Sequence, residues 1–195
     1  MKVNSFRNSK LTVGILGGSF NPPHPGHLYV SQVFLKTLQL DYVWWVVAKQ
    51  NPLKVKNQYR SHQLRCDLAA KLIKHPRIIV TNIEKEVKSN YISDVLFYLK
   101  NKFPKIKFIW LMGADNLLQF NKWHNWQNIF RSFPIAVFDR GNDVYTSLKG
   151  ESAIKFAKYK LPEHSLNRLT HKTPSWGMIR KLKSSYSSTK INSKE

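Results

Sequence analysis

The sequence predicts an α/β fold, a doubly wound parallel sheet, and three observations lead there. Short apolar runs alternate with helix-length amphipathic segments along the chain, the pattern of repeated βαβ units. The runs are continuous rather than polar-alternating, as in Asp41-Tyr-Val-Trp-Trp-Val-Val-Ala48, which suits interior strands covered on both faces. The first run, Leu11 to Leu16, feeds into Gly17-Gly18 and, after two prolines, into an apolar segment ending near Leu40. That is strand, tight turn, helix, and in such a sheet ligands gather outside the carboxyl ends of the strands at a topological switch next to the first strand.

The remaining elements follow in order. Asp41–Ala48 is the second strand, and Pro52 then breaks regular structure within Lys49-Gln-Asn-Pro-Leu-Lys54. Ser61 caps a helix running to about His75, with Leu64, Leu68 and Leu72 on one stripe, Arg65 beside it and Cys66 packed as a small apolar side chain. Pro76 ends that helix and Arg77–Ile83 is the third strand, followed by Glu84, read as half of an ion pair. Asn90 caps a helix whose Ile92, Val95, Leu96 and Leu99 recur at i, i+3, i+4 and i+7. Lys107–Met112 and Phe133–Phe138 are the fourth and fifth strands. Lys149–Lys160 reads as helix, Leu166–Leu169 as a short strand, and Ser175 as the cap of a basic helix through Lys183.

A chain of 195 residues suits one domain with a sizeable core. Cys66 is the sole cysteine, so an intrachain disulfide or a cysteine-based zinc site is impossible and a reducing, cytoplasmic setting is expected. No apolar segment approaches the ~20 residues that span a bilayer, and Met1–Lys10 has no apolar signal-peptide core, so no membrane association is expected. Thirty-two basic against eleven acidic residues give a net charge of +21, which attracts polyanions. The basic residues are dispersed, with no RNP aromatic pair or zinc-finger spacing, so a nucleic-acid-binding module is the lesser reading.

Chemistry concentrates in Gly14-Ile-Leu-Gly-Gly-Ser-Phe-Asn-Pro-Pro-His-Pro-Gly-His27. Glycines let the backbone approach a ligand, and a helix N-terminus offers unpaired N–H groups and partial positive charge to an anion. His24 and His27, three apart at that helix start, can face one anion together, or can simply cap and pack. Asp115, after Gly113 at the carboxyl end of the fourth strand, is placed to accept from ribose hydroxyls or to cap a helix. Among the aromatics of Phe120-Asn-Lys-Trp123-His-Asn-Trp126, one can stack on a flat cationic ring or join the core.

The stretch Gly17-Gly-Ser-Phe-Asn-Pro-Pro-His-Pro-Gly-His27 resembles the Gly-Gly-Ser-Phe-Asn-Pro-x-His-x-Gly-His signature of nucleotidylyl transferases, in particular the bacterial nicotinate-nucleotide adenylyltransferase family. Further matches, in the family's order, fall at 49–54, 113–115, 123 and 188–191. The resemblance implies a Rossmann-like nucleotidyltransferase fold over residues 1–195, with segment 175–195 completing the ATP site, and transfer of the adenylyl group of ATP to nicotinate mononucleotide. It implies His24 and His27 as catalytic residues and, with them, Gly17, Gly18, Ser19, Phe20, Asp115, Ser188, Thr189 and Lys190 around ATP. Asn21, Lys54, Tyr91 and Trp123 fall to nicotinate mononucleotide, and Mg²⁺ is expected bound through the ATP phosphates; Arg140, at the edge of the fifth strand, is placed by position alone, either on the phosphate of nicotinate mononucleotide or in an ion pair.

Two departures stand out. Asn90-Tyr-Ile-Ser-Asp-Val-Leu96 replaces the family's two threonines by Ile92 and Val95, and Asn192 stands where an arginine is expected, with Lys190 the nearest substitute cation. A sister reaction on nicotinamide mononucleotide or phosphopantetheine is the alternative within the same chemistry.

Overall fold

A computed structural model describes residues 3–49, 60–139 and 144–180. Its centre is a seven-stranded sheet, β1 (Thr12–Gly18), β2 (Tyr42–Val47), β3 (Ile78–Thr81), β4 (Lys107–Gly113), β5 (Ile135–Asp139), β6 (Lys160–Leu161) and β7 (Trp176–Arg180), in the order β3-β2-β1-β4-β5-β7-β6. Every pairing is parallel. The chain winds from β1 outward to β3, then crosses to β4 on the other side of β1. The β1–β4 boundary is therefore the topological switch, where ligand crevices open in such sheets.

Helices α1 (Pro25–Thr37), α2 (His62–Leu72), α3 (Ile92–Lys102), α4 (Ala114–Gln119), α5 (Trp126–Ser132), α6 (Val144–Leu148) and α7 (Glu151–Lys155) cover the sheet. Side-chain alternation along the strands divides the interior in two. On one face Val13, Ile15, Trp44, Val46, Trp110 and Met112 meet Val95, Leu96 and Leu99 of α3 and the aromatics around α5. On the other, Leu16, Val43, Trp45, Val47, Ile109 and Leu111 meet Val30, Phe34 and Leu35 of α1, with Cys66 and Ala69 of α2. Both strand faces are buried, which is why the runs show no polar alternation.

Five expectations need correction. Residues 176–180 are strand rather than helix: they pair with β5, and the Ser175 hydroxyl donates to the Leu169 carbonyl at 2.7 Å instead of capping. Glu163–His171, which holds Leu166 and Leu169, is 3₁₀ helix, and the two leucines, three apart, share its buried side. The 149–160 segment divides into α7, a 3₁₀ turn at Ala157–Tyr159 and the first residue of β6. On α2, Leu64 is exposed while Arg65, Cys66 and Ala69 face inward, although the Ser61 hydroxyl accepts the Leu64 N–H as expected. Residue 91, not 90, holds the N-cap position of α3, with the Ser89 hydroxyl accepting the Tyr91 N–H. Among the described residues no helix is long and apolar enough to cross a membrane.

Candidate active site

The signature turn leaves the carboxyl end of β1 and becomes the first turn of α1. Gly17 is required by packing: a Cβ there would run into the Trp110 ring on β4. Phe20 takes a left-handed backbone conformation, φ 46°, strained for a bulky residue, and buries its ring flat against Trp45, centroids 4.8 Å apart at 19°. Phe20 is thus a floor beneath the turn, and its ring also lies 4.7 Å from that of His27.

His24 is the N-cap of α1, and the two histidines cap each other's main chain. The Gly26 N–H donates to His24 Nδ1 and the His24 N–H donates to His27 Nδ1, both at 3.2 Å. A ring nitrogen that accepts carries no proton, so in the neutral form each imidazole holds its hydrogen on Nε2. The rings lie 3.9 Å apart between centroids. Capping thus fixes two N–H donors side by side at a helix N-terminus, where partial positive charge already favours an anion. Support continues below: Ser31 Oγ donates to the His27 carbonyl and accepts from the Trp45 indole N–H, both at 2.8 Å.

Asp115 sits in the first turn of α4, just past β4 and beside β1 across the switch. It is exposed, and its carboxylate curls over Gly113, where a Cβ would collide with Oδ1. Trp123 is half-buried, its ring edge-on to Phe120 at 5.1 Å and to Trp110 at 6.2 Å. Tyr91 stacks on His124, centroids 4.3 Å apart at 23°, and His124 Nδ1 is 3.1 Å from the buried Ser93 hydroxyl. His124, next to Trp123 in sequence, escaped the sequence reading. Val95 is wholly inside the core and Ile92 packs against it, so the departures from the family's threonines serve that apolar layer. Asn21 turns its side-chain carbonyl to the Arg60 N–H at 3.2 Å. Lys54, Arg140, Ser188, Thr189 and Lys190 lie outside the described residues.

Behind the turn is a polar knot that the sequence reading did not anticipate. Arg65, 1 % exposed, hydrogen-bonds to main-chain carbonyls of Ser19, Ala48, Lys49 and Arg60. Glu84 accepts the Lys49 N–H at 2.6 Å, while the Lys49 ammonium goes to the Val87 carbonyl. The expected ion pair is therefore a bond to a main-chain amide. Burial pushes the Glu84 carboxyl up to about 7, against the pull of the Lys49 N–H and of the Lys49 and Arg65 charges. His62, 3.9 Å from Glu84, bonds the Val47 carbonyl through Nε2; burial, helped by nearby cations, lowers its pKa below the ordinary value. Burial raises the Cys66 thiol, so it stays protonated and packs, as its sequence context implied.

A family model for cytidylyltransferase-like proteins matches residues 15–194. The chain belongs to the cytidylyltransferase-like family. Within it, the chain is 41 % identical over 180 residues to a Bradyrhizobium protein named probable nicotinate-nucleotide adenylyltransferase, covering 92 % of this chain and 94 % of that one. A protein of the same name from Agrobacterium fabrum is 40 % identical, with 93 % and 97 % covered. Among solved structures, Plasmodium falciparum nicotinic acid mononucleotide adenylyltransferase complexed with NaAD superposes with a TM-score of 0.69 at 18 % identity, over 94 % of this chain and 83 % of that one. At that identity the likeness speaks for the fold, a Rossmann-like cytidylyltransferase-family sheet.

Proposed function

We infer that this protein transfers the adenylyl group of ATP to nicotinate mononucleotide, giving nicotinate adenine dinucleotide and pyrophosphate in NAD biosynthesis. The observation that carries the reading is the pair of capped histidines, each with its hydrogen on Nε2, at the helix start beside the topological switch. The names of the 40–41 % identical relatives supply the acceptor. A phosphate oxygen of nicotinate mononucleotide attacks the α-phosphorus of ATP; that P–O bond forms as the bond to the β-phosphate oxygen breaks, and pyrophosphate departs with the electron pair. The acceptor phosphate is already anionic near neutral pH, so no general base is needed; positioning and charge stabilisation carry the rate.

His24 and His27 donate from Nε2 to phosphate oxygens as charge grows. The main chain at Gly17, Gly18 and Ser19 borders the triphosphate, and Asp115 accepts from the ribose hydroxyls of ATP. Phe20 acts through the backbone it bends and the ring it sets under His27. Tyr91 and Trp123 flank the pyridine ring, with Asn21 ordering the acceptor side of the turn. Lys54 on the acceptor and Ser188, Thr189 and Lys190 on the leaving phosphates come from sequence resemblance, and Arg140 on the acceptor phosphate from its place at the edge of the fifth strand. Mg²⁺ in this reading is held by the ATP phosphate oxygens and water, as the cation's preference for few protein ligands in nucleotide sites suggests. Bound there, Mg²⁺ would supply positive charge to the triphosphate. The reaction is a soluble one, and a cytoplasmic setting agrees with the single, buried, reduced Cys66.

The test is an acceptor panel: purified protein, ATP and Mg²⁺ with nicotinate mononucleotide, nicotinamide mononucleotide or phosphopantetheine, reading pyrophosphate. Nicotinate mononucleotide should dominate. Preferential use of phosphopantetheine, or salt-sensitive RNA binding without pyrophosphate release, would overturn the reading.

A further inference from the structure

We propose that Arg65 is a positioning residue for transfer, holding the signature turn in register with the main chain on both sides of segment 50–59. The inference rests on the adenylyl-transfer reading and deepens it. The guanidinium donates from Nε to the Arg60 carbonyl at 3.0 Å, from Nη1 to the carbonyls of Ser19 at 2.5 Å and Ala48 at 2.7 Å, and from Nη2 to that of Lys49 at 2.9 Å. Three separate stretches of chain thus meet on one planar group. They are the turn after β1, the end of β2, and the residue that leads into α2.

Shape alone does not account for the choice. Burying a guanidinium costs desolvation that a methionine or leucine of similar volume would avoid, and replacement of buried ionic groups by apolar ones is often neutral or stabilising. What the arginine adds is a rigid fork whose donors point in fixed directions, so four carbonyls are held at fixed mutual positions. A lysine at the same place has a single ammonium and cannot reproduce that spread.

The held atoms lead directly to the chemistry. Ser19 precedes Phe20, whose strained backbone sets its ring between Trp45 and His27. The same turn is tied a second time to the far side of the segment, through Asn21 Oδ1 and the Arg60 N–H at 3.2 Å. The end of β2 is fastened to it by the Ala48 N–H on the Gly18 carbonyl at 2.9 Å. A shift of Ser19 when the fork is lost moves Phe20, and with it the support of the His27 ring. A misplacement of about 1 Å at a reacting group costs on the order of 10²-fold in rate.

The experiment compares wild type, Arg65→Lys and Arg65→Met in steady-state kinetics with ATP and nicotinate mononucleotide, and in hydrogen–deuterium exchange without ligand. The folded Arg65→Lys protein should lose about 10- to 100-fold in kcat, with KM for ATP changed by less than about threefold. Its exchange should accelerate in peptides covering 17–24 and 47–49 and stay as in wild type in α3 and β5. If Arg65→Met does not fold, Arg65→Lys decides alone. A folded Arg65→Lys protein with wild-type kcat, or one whose exchange rises evenly over the molecule, would overturn the proposal and leave arginine as packing. A wild-type protein that releases no pyrophosphate from these substrates would defeat the functional reading instead, and local exchange at 17–24 would still judge Arg65.

Discussion

Replacing Glu84 with glutamine should raise the stability of the protein at pH 8 and leave it little changed at pH 5. The Glu84 side chain is 8 % exposed, and its carboxyl is pushed from 4.5 to about 7 by burial. In the unfolded chain the same group titrates near its ordinary value. Between those two values the native state holds a proton that the unfolded state has released, so stability falls as pH rises from about 4.5 to 7 and the loss is complete above. The rise from 4.5 to about 7, at about 1.4 kcal/mol per pH unit, amounts to about 3 kcal/mol. Glutamine keeps an oxygen to accept the Lys49 N–H without the charge. His62, whose pKa is lowered, contributes with the opposite sign, gaining stability as pH rises; it is present in both proteins, so only its coupling to Glu84 across 3.9 Å enters the difference. The assay is urea unfolding of both proteins at pH 5, 6, 7 and 8 at constant ionic strength. The glutamine variant should gain about 3 kcal/mol on wild type between pH 5 and 8. A difference that stays constant across that range would refute the reasoning and show Glu84 to be ionised throughout.

His27→Ala and His24→Ala should each lower kcat far more than they raise KM for ATP, since the imidazole donors matter most when charge develops on the transferring group; near-normal turnover with a raised KM alone would contradict the role given to the pair. Gly17→Ala drives a methyl into the Trp110 ring, and overpacking of that kind costs about 1–3 kcal/mol, visible as a lower midpoint in thermal unfolding; an unchanged midpoint would mean that Trp110 yields freely. Truncation before Ser187 lies beyond β7, which ends at Arg180, so circular dichroism and melting should change little while transfer is lost; a truncated protein with full activity would remove Ser188, Thr189 and Lys190 from the site.

What the sequence made legible was whatever is decided locally. The β2 run needs no partner to be recognised, because six consecutive apolar, β-branched or aromatic residues have few other places to go. The Gly-Gly turn and paired histidines were equally plain, since the capping that fixes both imidazoles is made within four residues. β7 was illegible for the converse reason. Ser175-Trp-Gly-Met-Ile-Arg180 begins with a good cap residue, and only pairing with β5, some forty residues earlier, and with the short β6 makes it a strand. Gly177 was the missed clue, since Leu166 packs where a Cβ would stand.

The polar knot was hidden by a deeper limit. An arginine on a helix next to leucines reads as the solvent edge of an amphipathic stripe, and α2 would have buried Leu64 had its surroundings been apolar. Its neighbours are instead the carboxyl ends of parallel strands and the turn that follows β1, which present main-chain carbonyls that no ladder partner satisfies there. A side chain with several donors is worth more at that place than another leucine, because an unsatisfied carbonyl costs as much as the apolar burial would return. The Ser19 acceptor is 46 residues from Arg65, and the Lys49 amide held by Glu84 is 35 residues from its partner. The place where ligands collect and the place where buried charge is needed are thus set by the same feature of the fold, the open carboxyl edge of the sheet, and neither Arg65 nor Glu84 can be read without it.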